Sequence, residues 1–310
     1  MTSAAPVVAV AGNVNADLSY DVERLPQPGE TMLAQGLRVG PGGKAGNGAV
    51  AIARLGATAR VVGSVGGDPL GTLALDALRA AGVDIDWIVR RPDATTGVAT
   101  VFVAPVDQEN AIVTHLGANM LMRPGEVPQL DGCDALLMTL GLPAAVLEAC
   151  VAAARRAGAS VLVDATPLRA VALPRAFTEV ELLSANRVEG AALTGMDAVD
   201  SDEEIDAALT ALHALGARQV VLKLGPGGAA WSDGTRRGRS AAPVVQAVDP
   251  TGAGDAFMGA IAVRLASGDP LPEATAYACL VGALATTGRG AQGGWASLHD
   301  VHRLAARSDT

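Results

Sequence analysis

Aromatic side chains are scarce in this chain of 310 residues, with three Phe, two Tyr and three Trp making up 3% of it. That leaves little surface on which nucleic-acid bases would stack. Positive charge is short too. Lys and Arg number 23 against 32 Asp and Glu, a net charge of −9, so the basic footprint needed to bind a phosphate backbone is missing. The Arg pairs at 90–91, 155–156 and 236–237 are isolated and read as solvated surface charge. Cys133, Cys150 and Cys279 are odd in number and far apart, with no CxxC pair or His–Cys cluster. No zinc site is expected, and buried free thiols are. No stretch reaches the ~20 apolar residues of a membrane span. The opening MTSAAPVVAVAGNV lacks a basic region before a long apolar run, and reads as a first strand rather than a signal peptide. A soluble, cytoplasmic protein is expected.

What is present is apolar and small-grained, since half the residues are hydrophobic and Ala, Val and Leu dominate. A chain this long buries about three quarters of its unfolded surface without disulfide or metal. Strand and helix patterns alternate: 60–63 before 70–81, 135–139 before 144–157, then 161–164, 180–184, helix 202–215 and strand 219–224. This rhythm predicts an α/β fold, a mainly parallel sheet with helices on both faces. Two segments break it, at about 14–40 and 95–117. Both alternate polar and apolar residues, and the second reads as a hairpin around the polar turn DQEN. Together they predict a small sheet projecting from one 310-residue domain, a candidate lid.

The most informative segment is Asp249-Pro250-Thr251-Gly252-Ala253-Gly254-Asp255-Ala256-Phe257, continued by apolar residues at helical spacing. Gly252 and Gly254 permit a tight loop. Free N–H groups at the helix start face that loop with the positive end of the dipole behind them. Such a place suits an anion with developing charge, and Asp255 stands beside it, placed to take a proton from an attacking hydroxyl. The plain alternative is an ordinary helix start with an N-terminal acid. Gly40-Pro41-Gly42-Gly43-Lys44-Ala45-Gly46-Asn47 superficially resembles a P-loop and fails the test, having Arg38 where the first Gly belongs and Ala45 after the Lys. It reads as a close-approach surface for a polyhydroxyl ligand, with Gly43 exposing main chain and Asn47 offering donor and acceptor.

Asp17, in the segment after the first strand, has two carboxylate oxygens for two hydroxyls, and Asn15 stands beside it; a turn residue is the other reading. Asn186 and Glu189 follow a strand, where an amide and an acid order Mg²⁺ waters or merely cap a helix. Gly225 and Gly228 of Leu224-Gly225-Pro226-Gly227-Gly228 let a nucleotide lie against backbone, or form only a turn. Lys223, ending the strand before them, joins them as a candidate nucleotide contact. An acidic total does not exclude ATP, which needs only local positive potential and main-chain N–H groups.

In this order the pieces resemble the ribokinase (PfkB-type) carbohydrate kinase family, and the resemblance runs essentially end to end. GGKAGN is similar to its N-terminal signature and DPTGAGDAF to its longer C-terminal one; NADLSYDVERLPQPGET, THLGAN and GRGAQ resemble the ribokinase branch. The resemblance implies transfer of the γ-phosphoryl group of ATP to ribose or a related small sugar. Asp255 is implied as base, with Gly252 and the N–H groups of Ala253, Gly254 and Asp255 shaping an anion hole. Asp17, Asn15, Gly43 and Asn47 are implied to hold sugar hydroxyls, and Asn186 and Glu189 to organise Mg²⁺ and phosphates. Gly225 and Gly228 would border ATP. Asp249, Thr251, Ala285 and Gly290 are implied as a monovalent-cation (K⁺) loop, and the lid as a homodimer contact.

Two positions depart from the family. Gly141 stands where ribokinases carry a sugar-contacting Glu, which predicts a larger pocket and weaker selection for the matching hydroxyl. Gly294 stands where the cation loop often has Ser. A nucleoside kinase on the same scaffold is the second reading, with Gly141 making room and Phe102 stacking on a base, although three Phe are few for base recognition. A non-catalytic sugar sensor is the third, but Asp255 and its glycines are all retained.

Overall fold

The computed structural model describes residues 4–104, 109–168, 172–295 and 297–308. The chain runs β1 (Val7–Ala11), β2 (Asn15–Asp21), β3 (Gly36–Gly42), α1 (Lys44–Arg54), β4 (Thr58–Gly66), α2 (Pro69–Ala80), β5 (Ile88–Arg91), β6 (Gly97–Ala104) and β7 (Glu109–His115). It continues through β8 (Ala135–Thr139), α3 (Ala144–Ala157), β9 (Ser160–Asp164), α4 (Arg175–Thr178), β10 (Leu182–Asn186), α5 (Arg187–Thr194) and α6 (Asp202–Ala214). The last elements are β11 (Gln219–Lys223), β12 (Ala229–Ser232), β13 (Arg237–Ser240), α7 (Ala253–Ala266), α8 (Leu271–Ala285) and α9 (Leu298–Ser308).

Apolar runs such as VVAVA in β1 and ALLMT in β8 are buried along nearly their whole length, as strands covered on both faces are. They sit inside a nine-stranded sheet of order β13-β12-β11-β10-β9-β8-β1-β4-β5, parallel from β5 to β11. Only β12 and β13 run antiparallel, at one edge. Alternate strand residues feed two cores. Val8, Val10 and Leu137 pack with α1, α2, α7 and α8, whereas Ala9, Leu136 and Met138 pack with α3 and α6. Local chemistry starts the helices. Asp68 caps α2 by accepting from the Gly71 amide at 2.8 Å with Pro69 next, and Ser201 with Glu204 forms a capping box for α6, both satisfying otherwise orphaned N–H groups.

The two segments set apart by pattern form a second sheet, β3-β2-β6-β7. β2 and β6 pair in parallel and the outer pairs are antiparallel. The hairpin turn expected at DQEN falls partly on residues 105–108, outside the described residues. Side chains alternate across this sheet. One face carries Asp17, Ala99, Val101 and Thr114; the other carries Leu37, Val39 and Val113, exposed at 54%, 46% and 66%. Tyr20 and Phe102 stack on that second face, their ring centroids 5.8 Å apart.

Helices α1 and α7 cross at glycine contact distance. A Cβ at Gly259 would lie 2.8 Å from the Ala51 Cβ and 3.0 Å from the Gly48 carbonyl. All three cysteines are buried and free, and among the described residues no helix is long and apolar enough to cross a membrane. Replacing Gly259 with Leu forces this crossing apart. It is expected to destabilise the fold by about 1–3 kcal/mol, read as a lower midpoint in urea unfolding.

Candidate active site

The loop entering α7 is built around Gly252, whose φ of 80° is left-handed and whose Cβ would run into the Ala291 carbonyl. Glycine is the residue that meets both demands. Of the three amides expected to form an anion hole, that of Ala253 is engaged, donating to the Pro250 carbonyl at 3.2 Å. The N–H groups of Gly254 and Asp255 have no partner among the described residues. Asp255 itself is 7% exposed. Its Oδ2 accepts from Asn47 Nδ2 at 2.7 Å, and Asn47 Oδ1 in turn accepts from Gln292 Nε2 at 3.1 Å. Asn47, expected to face sugar hydroxyls, lines the cavity described below and also orients Asp255 through its amide. Lys44 Nζ stands 3.7 Å from Asp255 Oδ1.

Gly43 opens α1 with φ 85°, and a Cβ there would lie 2.5 Å from the Asn13 carbonyl and 2.6 Å from the Asn15 amide. The end of β1 therefore lies directly against the loop. Fully buried Asn119 ties it down, donating to Asn15 Oδ1 at 3.0 Å and accepting from the Val14 amide at 3.0 Å. Between these pieces opens a cavity of about 540 Å³ whose polar lining includes Asn15, Asp17, Gly43, Lys44, Asn47 and Asp255. Burial, with the negative charge of Asp255, pushes the Asp17 carboxyl up to about 7 against the pull of Lys44. The same Asp255 holds the Lys44 ammonium above its usual range.

The predicted nucleotide residues lie outside this cavity's lining. Lys223 reaches α7, its Nζ 3.9 Å from where a Gly254 Cβ would be, and pairs with Asp164 at 2.5 Å. Burial raises the Asp164 carboxyl while Lys223 pulls it back down. Asn186 and Glu189 realise the capping reading. Asn186 Oδ1 accepts from the Glu189 amide at 2.8 Å and Glu189 Oε2 from the Asn186 amide at 2.9 Å. Gly225 and Gly228 belong to a short 3₁₀ turn leading into β12, and a Cβ on Gly228 would strike the Ser240 carbonyl. Three of the four expected cation residues, Asp249, Thr251 and Gly290, meet. Asp249 accepts from Thr251 N at 2.9 Å and Gly290 N at 2.8 Å, and Gly294 abuts the Ala285 carbonyl. Among the described residues no cluster of three or more His, Cys, Asp or Glu is placed to hold a metal ion.

Two expectations need correcting. Phe102 stacks on Tyr20 on the face away from the cavity, because even-numbered residues of β6 point that way, so it offers no platform for a base. Gly141 does not enlarge the pocket. A Cβ there would lie 2.8 Å from the Asn13 Cβ and closer still to Oδ1, so Asn13 fills the space. Lys44, Asn119 and Gln292 lie within GGKAGN, THLGAN and GRGAQ, but the sequence gives none of them an individual role, and Asp164 is visible there only as a polar residue at the end of an apolar run.

Residues 6–297 match the pfkB family carbohydrate kinase description. Ribokinase from Haemophilus influenzae is 32% identical over 293 residues, 92% of this chain and 94% of that protein. Deoxyribokinase from Salmonella typhi is 29% identical over 300 residues, 95% and 97% of the two chains. The structure of Arabidopsis thaliana ribokinase complexed with ribose and ATP superposes with a TM-score of 0.86 at 30% identity, covering 97% of this chain and 98% of that one.

The raised Asp17 carboxyl gives a signed pH dependence. The folded ligand-free protein holds this proton more tightly than the unfolded chain, so its contribution to stability is complete below about pH 4 and is lost as pH rises through about 7. Thermal unfolding against pH is expected to show this decline in the wild type, with a flatter profile for Asp17→Asn.

Proposed function

The chain belongs to the pfkB family of carbohydrate kinases, and on that footing we propose that it transfers the γ-phosphoryl group of ATP to a hydroxyl of ribose or a related small sugar, with Asp255 as base. It is a phosphotransferase acting on a sugar hydroxyl. The observation that carries the finer reading is the meeting of Asp255 and Asp17 in one cavity lining, with the amides of Gly254 and Asp255 left unpartnered at the helix start.

Phosphoryl transfer asks a protein mainly for positioning and for charge aimed at the migrating group. Asp17 and Asn15 hold sugar hydroxyls so that one of them faces Asp255. Asp255, oriented by Asn47, takes the proton as the hydroxyl oxygen bonds to the γ-phosphorus and the bond from that phosphorus to the β,γ-bridging oxygen breaks, releasing ADP. The Gly254 and Asp255 N–H groups, backed by the α7 dipole, donate to the equatorial oxygens. Lys44 on one side and Lys223 on the other add positive charge near the same turn. On this reading ATP runs from that turn past Lys223 toward Asn186, Gly225 and Gly228.

Mg²⁺ fits without a protein cluster, because it keeps most of its waters and takes one or two carboxylates plus phosphate oxygens. Glu189, which uses only Oε2 in its capping box, would hold such a water, and the ion would supply charge neutralisation to the phosphates. Asp249 and Thr251, from the segment before α7, meet Gly290, from the segment after α8, and with Ala285 at the end of α8 are the residues that would hold K⁺. The cavity-facing side of the small sheet offers Ala99, Val101 and Thr114 rather than a ring, which favours a sugar over a nucleoside. Its other side, with Leu37, Val39 and Val113 exposed, suits the same side of a second copy, making the sheet both lid and dimer contact.

Asp255→Asn is expected to lower kcat at least 10²- to 10⁴-fold in a coupled ATP-consumption assay over pentoses, hexoses, keto-sugars and nucleosides, with ATP affinity changed little. Retention of most activity would rule Asp255 out as base. Val113→Arg places charge on the apolar face and is expected to convert dimers to monomers in sedimentation velocity; a wild type already monomeric at micromolar concentration removes the dimer reading.

A further inference from the structure

We infer that the side-chain amide of Asn13 is a specificity-determining contact, reading an oxygen of the sugar at the floor of the cavity; this rests on the sugar-kinase reading above. Asn13 follows β1 at the edge where the sheet meets the cavity and is 5% exposed. Its Oδ1 is shut off from solvent and has no hydrogen-bond partner. Its Nδ2 also bonds nothing among the described residues and is not sealed off with Oδ1, so it faces the cavity that Asn13 lines. The neighbouring Thr139 Oγ1, packed beside Gly12, is buried without a partner as well.

Buried polar groups are nearly always paired, and an exception needs a cause. An amide wholly unpaired inside a cavity otherwise set with Asn15, Asp17 and Asp255 is placed for a ligand. It holds that place because residue 141 is glycine, any Cβ at which would displace it. The chemistry differs from that of a carboxylate, which when ionised only accepts hydrogen bonds. An amide donates through Nδ2 and accepts through Oδ1, and a half-turn exchanges the two. With Nδ2 toward the cavity, the group donates to a sugar oxygen, whether of the ring, a carbonyl or a hydroxyl. Turned over, it accepts from a hydroxyl. The substrate class that follows is a small sugar presenting an oxygen at this point, recognised by a neutral amide rather than by a third carboxylate.

The test is steady-state kinetics of wild type, Asn13→Ala, Gly141→Ala and the double variant across aldoses, ketoses and deoxy-sugars. For Asn13→Ala, KM for the preferred sugar is expected to rise at least tenfold, KM for ATP to stay within twofold, and the ranking of sugars to change. Gly141→Ala keeps the amide but pushes it aside. It is expected to raise the sugar KM in the wild type and to add nothing in the Asn13→Ala background, a coupling that general destabilisation would not produce. A sugar KM within twofold of wild type for Asn13→Ala, with the same ranking, overturns the inference and leaves the kinase reading standing. A wild type that turns over no sugar overturns the kinase reading, and this inference with it. Should Asn13→Ala fail to fold, Asn13→Ser provides the same comparison with a polar group kept in place.

Discussion

The close crossing of α1 on α7 is the constraint from which the site's geometry follows. Gly48 and Gly259 bring the two backbones together, and one consequence is that Asn47, near the start of α1, reaches the carboxylate of Asp255 at 2.7 Å. The two residues are 208 positions apart in sequence. A bulkier crossing would leave Asp255 a buried acid without its donor, and a buried carboxylate lacking hydrogen bonds is costly. Packing that looks purely structural thus keeps the donor of the cavity's carboxylate in place.

The electrostatics follow the same economy. The chain as a whole is acidic, yet the turn at the start of α7 has Lys44 on one side and Lys223 on the other, with free amides between them. Each lysine is answered by a carboxylate, Asp255 for Lys44 and Asp164 for Lys223. In a partly dry site each carboxylate offsets the cost of burying the lysine beside it, whereas an unpaired lysine would be costly to bury. Global charge and local potential are separate properties here.

Much of the fold was legible because its signals are local. The apolar runs of β1 and β8 and the 144–157 helix pattern each specify an element without help from the rest of the chain, and the polar–apolar alternation of β2, β3, β6 and β7 marked the second sheet. The edge pair β12–β13 escaped notice, being four residues per strand with arginines in one of them. Site residues divided the same way. Asp255, Gly252 and Gly43 could be read from glycine-rich helix starts, because backbone chemistry fixes what such starts do. The roles of Asn13 and Asn47 could not, since each depends on a contact across the fold, with Gly141 in one case and Asp255 in the other. The base-stacking role given to Phe102 failed for a related reason. Strand parity decides which face a side chain takes, and parity follows from a register that only pairing with β2 establishes.

The two carboxylates of the cavity ride on different bodies, Asp17 on the small sheet and Asp255 on the helix that packs against the large one. A polyol can touch both at once through separate hydroxyls and so tether sheet to body. On the sugar-kinase reading, the hydroxyls that bring the acceptor to Asp255 would be the same groups that hold the small sheet against the body.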